Sequence, residues 1–357
     1  MKSKVYFVKV DNSDDKSKIK ASLKRLLAES GILSFLSKNQ KTALKIHFGE
    51  EGNTGYVNPE YVRVIADGII QRGAGPFLTD TNTLYHGRRI NSQEHLKLAY
   101  EHGFSSETVN CSVVIPDDTQ KENISEIEIN QEFVKTAKIA RLFIEADALI
   151  GIAHFKGHLM TGFGGALKNI GMGCASRKGK LFQHADVSPI VHIEQCIGCE
   201  ACAAVCPVGA IKIINKKAVL DRKKCIGCAS CLAACKYWAI DVEWESGGDT
   251  IQEKMIEYVK AVLQGKENCS AFLNFAIKIT KECDCLAKDD PRICPDIGIL
   301  ASYDPVSIDK ASYDLVVQAC GRDIFKEVHS KRDGMKQLQH AAKLGLGNLD
   351  YELIDLS

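Results

Sequence analysis

The chain lacks any apolar run long enough to span a bilayer, and its first residues, Met1-Lys2-Ser3-Lys4-Val5, run into polar sequence without the hydrophobic stretch of an export signal. It lacks a charge imbalance as well. With 46 Lys and Arg against 45 Asp and Glu, the formal net charge is +1, which gives no reason to expect a nucleic acid or an anionic membrane as partner. Only two tryptophans and eight prolines are present. No Walker loop and no dinucleotide or flavin fingerprint occurs at its required spacing. These absences point to a cytoplasmic protein of 357 residues, long enough for two or three compact units. One residue type is abundant: fifteen cysteines, which in a reducing compartment imply metal rather than disulphides.

Eight of those cysteines fall in two runs. Cys196, Cys199, Cys202 and Cys206 are spaced C-x₂-C-x₂-C-x₃-C with Pro207 next, and Cys225, Cys228, Cys231 and Cys235 repeat the spacing, with Lys236 where the pattern has proline. Cys-Ile-Gly-Cys opens both halves, and Ala210-Ile211 matches Ala239-Ile240. This is the two-cluster pattern of bacterial ferredoxins, in which the fourth cysteine of each run serves the other cluster. A short loop wraps only three thiolates round one cube. One [4Fe-4S] cluster is therefore expected on Cys196, Cys199, Cys202 and Cys235, and a second on Cys225, Cys228, Cys231 and Cys206. A zinc ribbon would take two separated pairs instead. Residues 189 to 243 thus resemble a dicluster ferredoxin, and such oxygen-sensitive clusters suggest an anaerobic setting.

The remainder reads as an α/β fold with a mostly parallel sheet. Strands are expected at Val5–Val10, Thr42–Phe48, Gly75–Thr79, Ala148–Ala153, Phe272–Ile279 and Gly298–Ser302. Helices are expected over about Asp15–Ser30, Pro59–Arg72, Ser92–His102, Val134–Ala146, Thr250–Leu263 and from Asp304-Pro305 to Cys320, with a weaker pair of strands between Ser112 and Ile129. Six glycines between His154 and Gly173 mark a loop. Residues 1–187 and 244–357 would form the α/β body, as one domain or two lobes, with residues 188–243 as an inserted ferredoxin module.

Ligands in open α/β sheets bind beyond the carboxyl ends of the strands. Polar residues stand at those ends: His47 and Glu50, Asp80 and Asn82, His154, Lys156 and His158, and Asp304. A shared pocket predicts that His47, Asp80, His154, His158 and Lys168 converge, with His154 or His158 supplying protons. The glycine-bearing loop around Lys168 would either expose backbone amides to an anion or simply pack closely. Arg177, Lys178 and Lys180 would hold an anionic substrate or be solvated. Cys283, Cys285 and Cys294 form a candidate third metal site on a loop bordering the pocket near Asp304, while Cys111 reads as core filler.

The stretches "GFGGALKNIGMGCASRKGK" before the cysteine runs and "CDC" and "DIGILASYDPVSID" after them resemble the domain-of-unknown-function 362 family. That resemblance covers nearly the whole chain and implies an iron–sulphur protein of an anaerobe, with no substrate specified. The function expected is an oxidoreductase passing single electrons from a soluble redox partner through two clusters to a small-molecule substrate or cofactor. The rival expectation is a non-enzymatic electron-delivery or metallocentre-maturation partner. A pocket near a cluster favours the first, and a flat face there favours the second.

Overall fold

The computed structural model describes residues 2–357 except 86, 118–119, 185–188, 226, 228 and 243–249. The expected module boundaries, at 187/188 and 243/244, involve residues outside that set. Eight strands make one sheet: β1 Ser3–Lys9, β2 Lys41–Lys45, β3 Gly75–Thr79, β4 Ser112–Val114, β5 Ala148–His154, β6 Ser270–Ala276, β7 Gly298–Ser302 and β8 Tyr351–Asp355. Their spatial order is β8-β1-β7-β6-β5-β2-β3-β4, so strands from before and after the cysteine runs share one sheet.

Five of the seven neighbouring pairs are parallel, and only β7 opposes both its neighbours. The fold is therefore α/β with a mostly parallel sheet. In β5, β6 and β7 every residue is buried, as parallel-type central strands covered on both faces require. One face is covered by α1 (Lys16–Ser30) and α2 (Pro59–Gln71), which present Leu23, Leu26, Ile65 and Ile69 to the core. Asn58 caps α2 and Pro59 opens it, the arrangement that suits a first turn. The other face is covered by α3 (Ala166–Gly171), α4 (Ile251–Leu263) and α5 (Pro305–Cys320). No helix among the described residues is long and apolar enough to cross a membrane.

Two expectations about elements are corrected. Thr136–Ala140 is a strand paired with Ile124–Glu128, followed by a five-residue helix at Arg141–Glu145, where one long helix was expected. Ala137 and Ile139 are buried on alternate positions, a period-two pattern that fits strand pairing. The two strands expected between Ser112 and Ile129 are present, Ser112–Val114 in the main sheet and Ile124–Glu128 paired with Thr136–Ala140. The glycine-rich segment is a strand, Gly162–Gly164, hydrogen-bonded to Lys156–His158, and then α3. The Asp309 carboxylate accepts from the amides of Ala166 and Leu167 at 2.7 and 2.9 Å and from Asn274 Nδ2 at 2.7 Å. Those amides are thus committed internally, which favours close packing over an anion cradle for this segment.

The two cysteine runs fold as structural copies. Gly198 and Gly227, Glu200 and Ala229, and Gly209 and Trp238 occupy the left-handed region at matching positions, and short helices follow at Ala201–Ala204 and Ser230–Ala234. Ile211–Ile214 pairs with Lys217–Leu220, and Ile190–Val191 pairs with Ile240–Asp241. This unit has its own small core, which includes Cys196, Cys202, Cys231 and Cys235 and also takes in Leu84 and Leu181 from the α/β body.

Asp309 joins α5, α3 and β6 through three buried bonds. Asp309→Ala should therefore lower stability by about 3 kcal/mol, since three donors lose their acceptor in the core. Asp309→Asn, which keeps one acceptor oxygen, should fall between, as read from the midpoints of chemical unfolding.

Candidate functional site

Because seven strands share one direction, β2, β3, β5 and β6 all end on one edge, and the loop from Ile277 to Ile297 lies there too, where β7 begins. Asp304, at the end of the reversed strand, is on the opposite edge. There it accepts from Ser3 Oγ at 2.7 Å and from the Asn348 amide at 2.8 Å, and it caps α5, so it does not join the other strand ends.

At the shared edge lies a cavity of about 390 Å³. His47, Asp80, His154, His158 and Lys168 all line it, with Lys156, Cys283 and Cys285. Glu50 and Asn82 stand behind the wall: Glu50 accepts from Arg89 Nε at 3.3 Å, and Asn82 Nδ2 donates to Ser92 Oγ at 2.9 Å.

Asp80 is buried beside Lys45, 3.0 Å away, with Arg89 at 3.5 Å and His95 at 3.8 Å. Burial opposes its charge, but Lys45, His95, Lys180 and Arg89 together hold its carboxyl below the usual range. His47 Nδ1 accepts from the Gly49 amide at 3.0 Å, and burial, with the Arg89 charge, keeps its ring well below ordinary basicity. The neutral ring therefore carries its hydrogen on Nε2.

The Cys283-Asp284-Cys285 loop is fastened to the end of β5. Asp284 is 1% exposed, and it is paired. It accepts from His154 Nδ1 at 2.9 Å and Lys156 Nζ at 2.8 Å. Burial raises its pKa, but His154 and Lys156 bring it down to about 2. His154 Nε2 faces the carbonyls of Ile277 and Lys278 at 3.0 and 3.3 Å. With the Asp284 carboxylate at one ring nitrogen and carbonyls at the other, His154 acts as a tether for this loop.

Cys283 and Cys285 are hydrogen-bonded to each other, which lowers Cys283 well below and raises Cys285 well above an ordinary thiol; Lys168 and Lys156 further favour the Cys283 thiolate. Lys168 Nζ donates to Cys283 Sγ at 3.2 Å, and although burial opposes its charge, that thiolate holds the ammonium above its usual value. Burial, then Lys168, lowers His158 to about 4, so its imidazole is neutral. His158, Cys283 and Cys285 each bring one ligand atom within 4.8 Å of the others. Cys294 does not join them. It is hydrogen-bonded to Cys320, and burial raises its thiol far above the usual range.

Several residues expected near the site serve as braces. Arg177 Nη1 donates to the Ile90 carbonyl at 3.1 Å, and Lys180 Nζ donates to the carbonyls of Thr81 and Asn82 at 3.3 and 2.5 Å. Tyr85, Arg89 and Thr161 line the cavity without having been singled out in the sequence. Their only signal was position, just after β3 or between His158 and the glycines.

Among the cysteine runs, Cys196, Cys199, Cys202 and Cys235 line a second, small cavity. Sγ of Cys196, Cys206 and Cys235 accepts a backbone amide from Ala218, Ala210 and Ala239 at 3.2, 3.2 and 3.3 Å. Cys225 and Cys231 belong to the other expected set, of which Cys228 lies outside the described residues.

A family model described as Domain of unknown function (DUF362) matches residues 42–314. No curated protein matches the chain. Among solved structures it is similar to the lactate racemase apoprotein from Thermoanaerobacterium thermosaccharolyticum, at 14% identity and a TM-score of 0.41, over 76% of this chain and 50% of that one. It is also similar to a protein from Thermotoga maritima, at 16% identity and a TM-score of 0.40, over 91% of this chain and 60% of that one. The chain thus spans half to three fifths of the length of these two structures.

Replacing Asp80 tests the buried charge pair. Its carboxyl is depressed in the fold, so its stabilisation is present above about pH 4, the unfolded value, and is lost as pH falls through the lower folded value. Asp80→Asn should flatten that acid slope. At pH 7 it should cost about 3 kcal/mol, because Lys45 loses its counter-charge.

Proposed function

The chain belongs to the DUF362 family, a domain of unknown function, and from that premise we propose that it is an iron–sulphur oxidoreductase acting on a small molecule held in the sheet-edge cavity. Cys196, Cys199, Cys202 and Cys235 would hold one [4Fe-4S] cluster, and Cys225, Cys228, Cys231 and Cys206 the other. The first set fits such a group: its four thiols surround one cavity, and two of them accept backbone amides, as cluster thiolates do. Bound clusters would supply electrons one at a time.

The observation that carries this reading is Leu84. It lines the large cavity and also packs in the core of the cysteine unit, so one hydrocarbon side chain separates the two. Leu181 packs in that same core, and a methyl group built on Gly227 would stand 3.6 Å from its Cδ2. Gly227 lies in the second run, so that run also packs against the α/β body. A cavity at this position supports an enzyme over a docking protein with a flat face.

Within the cavity the chain's own groups have distinct parts. His47 offers its Nε2 hydrogen, and the Lys168 ammonium lies beside Cys283. Both are placed to hold an anionic or carbonyl oxygen and to deliver a proton as charge arrives. His154 keeps the Cys283 loop in place, and a soluble redox partner would exchange electrons at the exposed side of the cysteine unit.

Anaerobically purified protein should contain about eight irons and eight labile sulphides. Four irons, or stoichiometric zinc in the runs, would overturn the scheme. Cys235→Ser should alter the spectrum of the cluster whose other ligands begin at Cys196 and spare the other, a difference that cluster-resolved paramagnetic resonance reads.

A further inference from the structure

We propose that the large cavity contains a third metal site, in which a single divalent transition ion is bound by the thiolates of Cys283 and Cys285 and by His158 Nε2, with one coordination position open to the cavity. The site does not depend on the iron–sulphur reading. It replaces the set suggested by sequence spacing, with His158 in the place of Cys294.

Geometry is the first support. The three donor atoms already lie within 4.8 Å of one another without an ion. Metal–sulphur bonds of about 2.3 Å and metal–nitrogen bonds of about 2.0 Å in a tetrahedron put donors roughly 3.5–3.8 Å apart. Closing that difference takes side-chain rotation of about an ångström and leaves the backbone in place.

The backbone of this loop is also held from several sides. The Asp284 side chain is bonded to His154 and Lys156, its carbonyl accepts from the Glu50 amide at 2.9 Å, and the Lys281 carbonyl accepts from His329 Nε2 at 2.8 Å. With Asp284 drawn to one side, the thiols on either side of it both face the cavity.

His158 is oriented by the turn that follows it. Nδ1 accepts from the amides of Met160 and Thr161 at 3.2 Å and lies 3.0 Å from Thr161 Oγ1, so the metal-free ring carries its hydrogen on Nε2, the nitrogen left for the thiols. Thr161 gives its own hydroxyl hydrogen to the Phe163 carbonyl at 2.7 Å. An ion at Nε2 displaces that hydrogen to Nδ1, where Thr161 Oγ1, its own hydrogen already given to Phe163, accepts it in place of the two amide contacts. This is the outer-shell partner that a metal-bound imidazole needs.

The donor set selects the class of ion. Two thiolates and an imidazole suit zinc or a similar thiophilic divalent ion, and disfavour magnesium and calcium. Among the described residues no fourth His, Cys, Asp or Glu joins the group. Three protein ligands beside a cavity are the arrangement of a catalytic ion, whose fourth position takes water or a substrate atom. Lys168, donating to Cys283 Sγ, adds positive charge there and favours an anionic oxygen donor such as a carboxylate.

The test uses full-length, anaerobically prepared protein freed of loosely held metal by a chelator and then titrated with Zn²⁺. Wild type should retain one equivalent of zinc after gel filtration, in addition to its iron. Cys294→Ser should do the same, whereas the Cys283→Ser/Cys285→Ser double variant and His158→Gln should retain at most a tenth of an equivalent. Iron content and circular dichroism establish whether each variant is folded. Alkylation of wild-type thiols, mapped by mass spectrometry, gives a reading that needs no variant: zinc should protect Cys283 and Cys285 at least tenfold and leave Cys294 unchanged. No retained zinc in wild type, no protection, or zinc retained by a folded double variant would each overturn the proposal. Iron short of eight with zinc still bound at Cys283 and Cys285 would overturn the cluster reading and leave this one standing.

Discussion

The buried charge of Asp284 is the constraint on which the candidate site depends. A carboxylate at 1% exposure persists only if cations and donors replace the water it has lost. His154 and Lys156 do so from the end of β5, a strand buried along its whole length. The pairing fixes a long connecting loop to the end of that buried strand. Cys283 and Cys285 flank that anchor, so the sulphurs take their positions from it. The same loop reaches the segment after β2, where Thr54 donates to Asp289 at 2.6 and 2.7 Å through its amide and hydroxyl. Two strand ends and the loop between β6 and β7 are thereby held to one another.

Much of the fold could be read from the sequence, because burial imposed its period. The apolar face of α2, with Tyr61, Val62, Ile65, Ala66 and Ile69, repeats at helical intervals, and the central strands are short apolar runs. What such runs do not encode is direction. Gly298–Ser302 is buried on both faces and would look the same if it ran parallel to its neighbours. Its reversal follows from a connection that returns to the edge where β6 ended, and that reversal alone carries Asp304 away from the other strand ends. Thr136–Ala140 shows the opposite difficulty. Val134, Ala137 and Ile139 suit a helical face about as well as a strand, and pairing with Ile124–Glu128 decided between them.

The site was legible as a set of strand ends, but not in its partnerships. Cysteine spacing cannot say that Cys294 turns toward Cys320 while His158 turns toward Cys283, because both outcomes are set by loops that fold back from a distance. The glycines are informative in retrospect. A methyl group on Gly157 would stand 2.2 Å from the Lys281 carbonyl, and one on Gly165 would stand 2.2 Å from Asp309 Oδ1. Their small size lets the cysteine loop and α5 approach β5 and α3 closely, so the composition that resembled an anion-binding loop reflects tight packing.

The place of β1 in the sheet has a consequence for how the protein is made. β1 begins at Ser3, yet both of its neighbours, β7 and β8, come from residues 298–355. During synthesis β1 has no sheet partner until residues 298–355 have been made. Contacts of such long range in sequence are slow to form. Both cysteine runs emerge well before that point. The thiols of both runs are therefore present while β1 still lacks its neighbours, and the sheet that carries the cavity is completed around a cysteine unit already made.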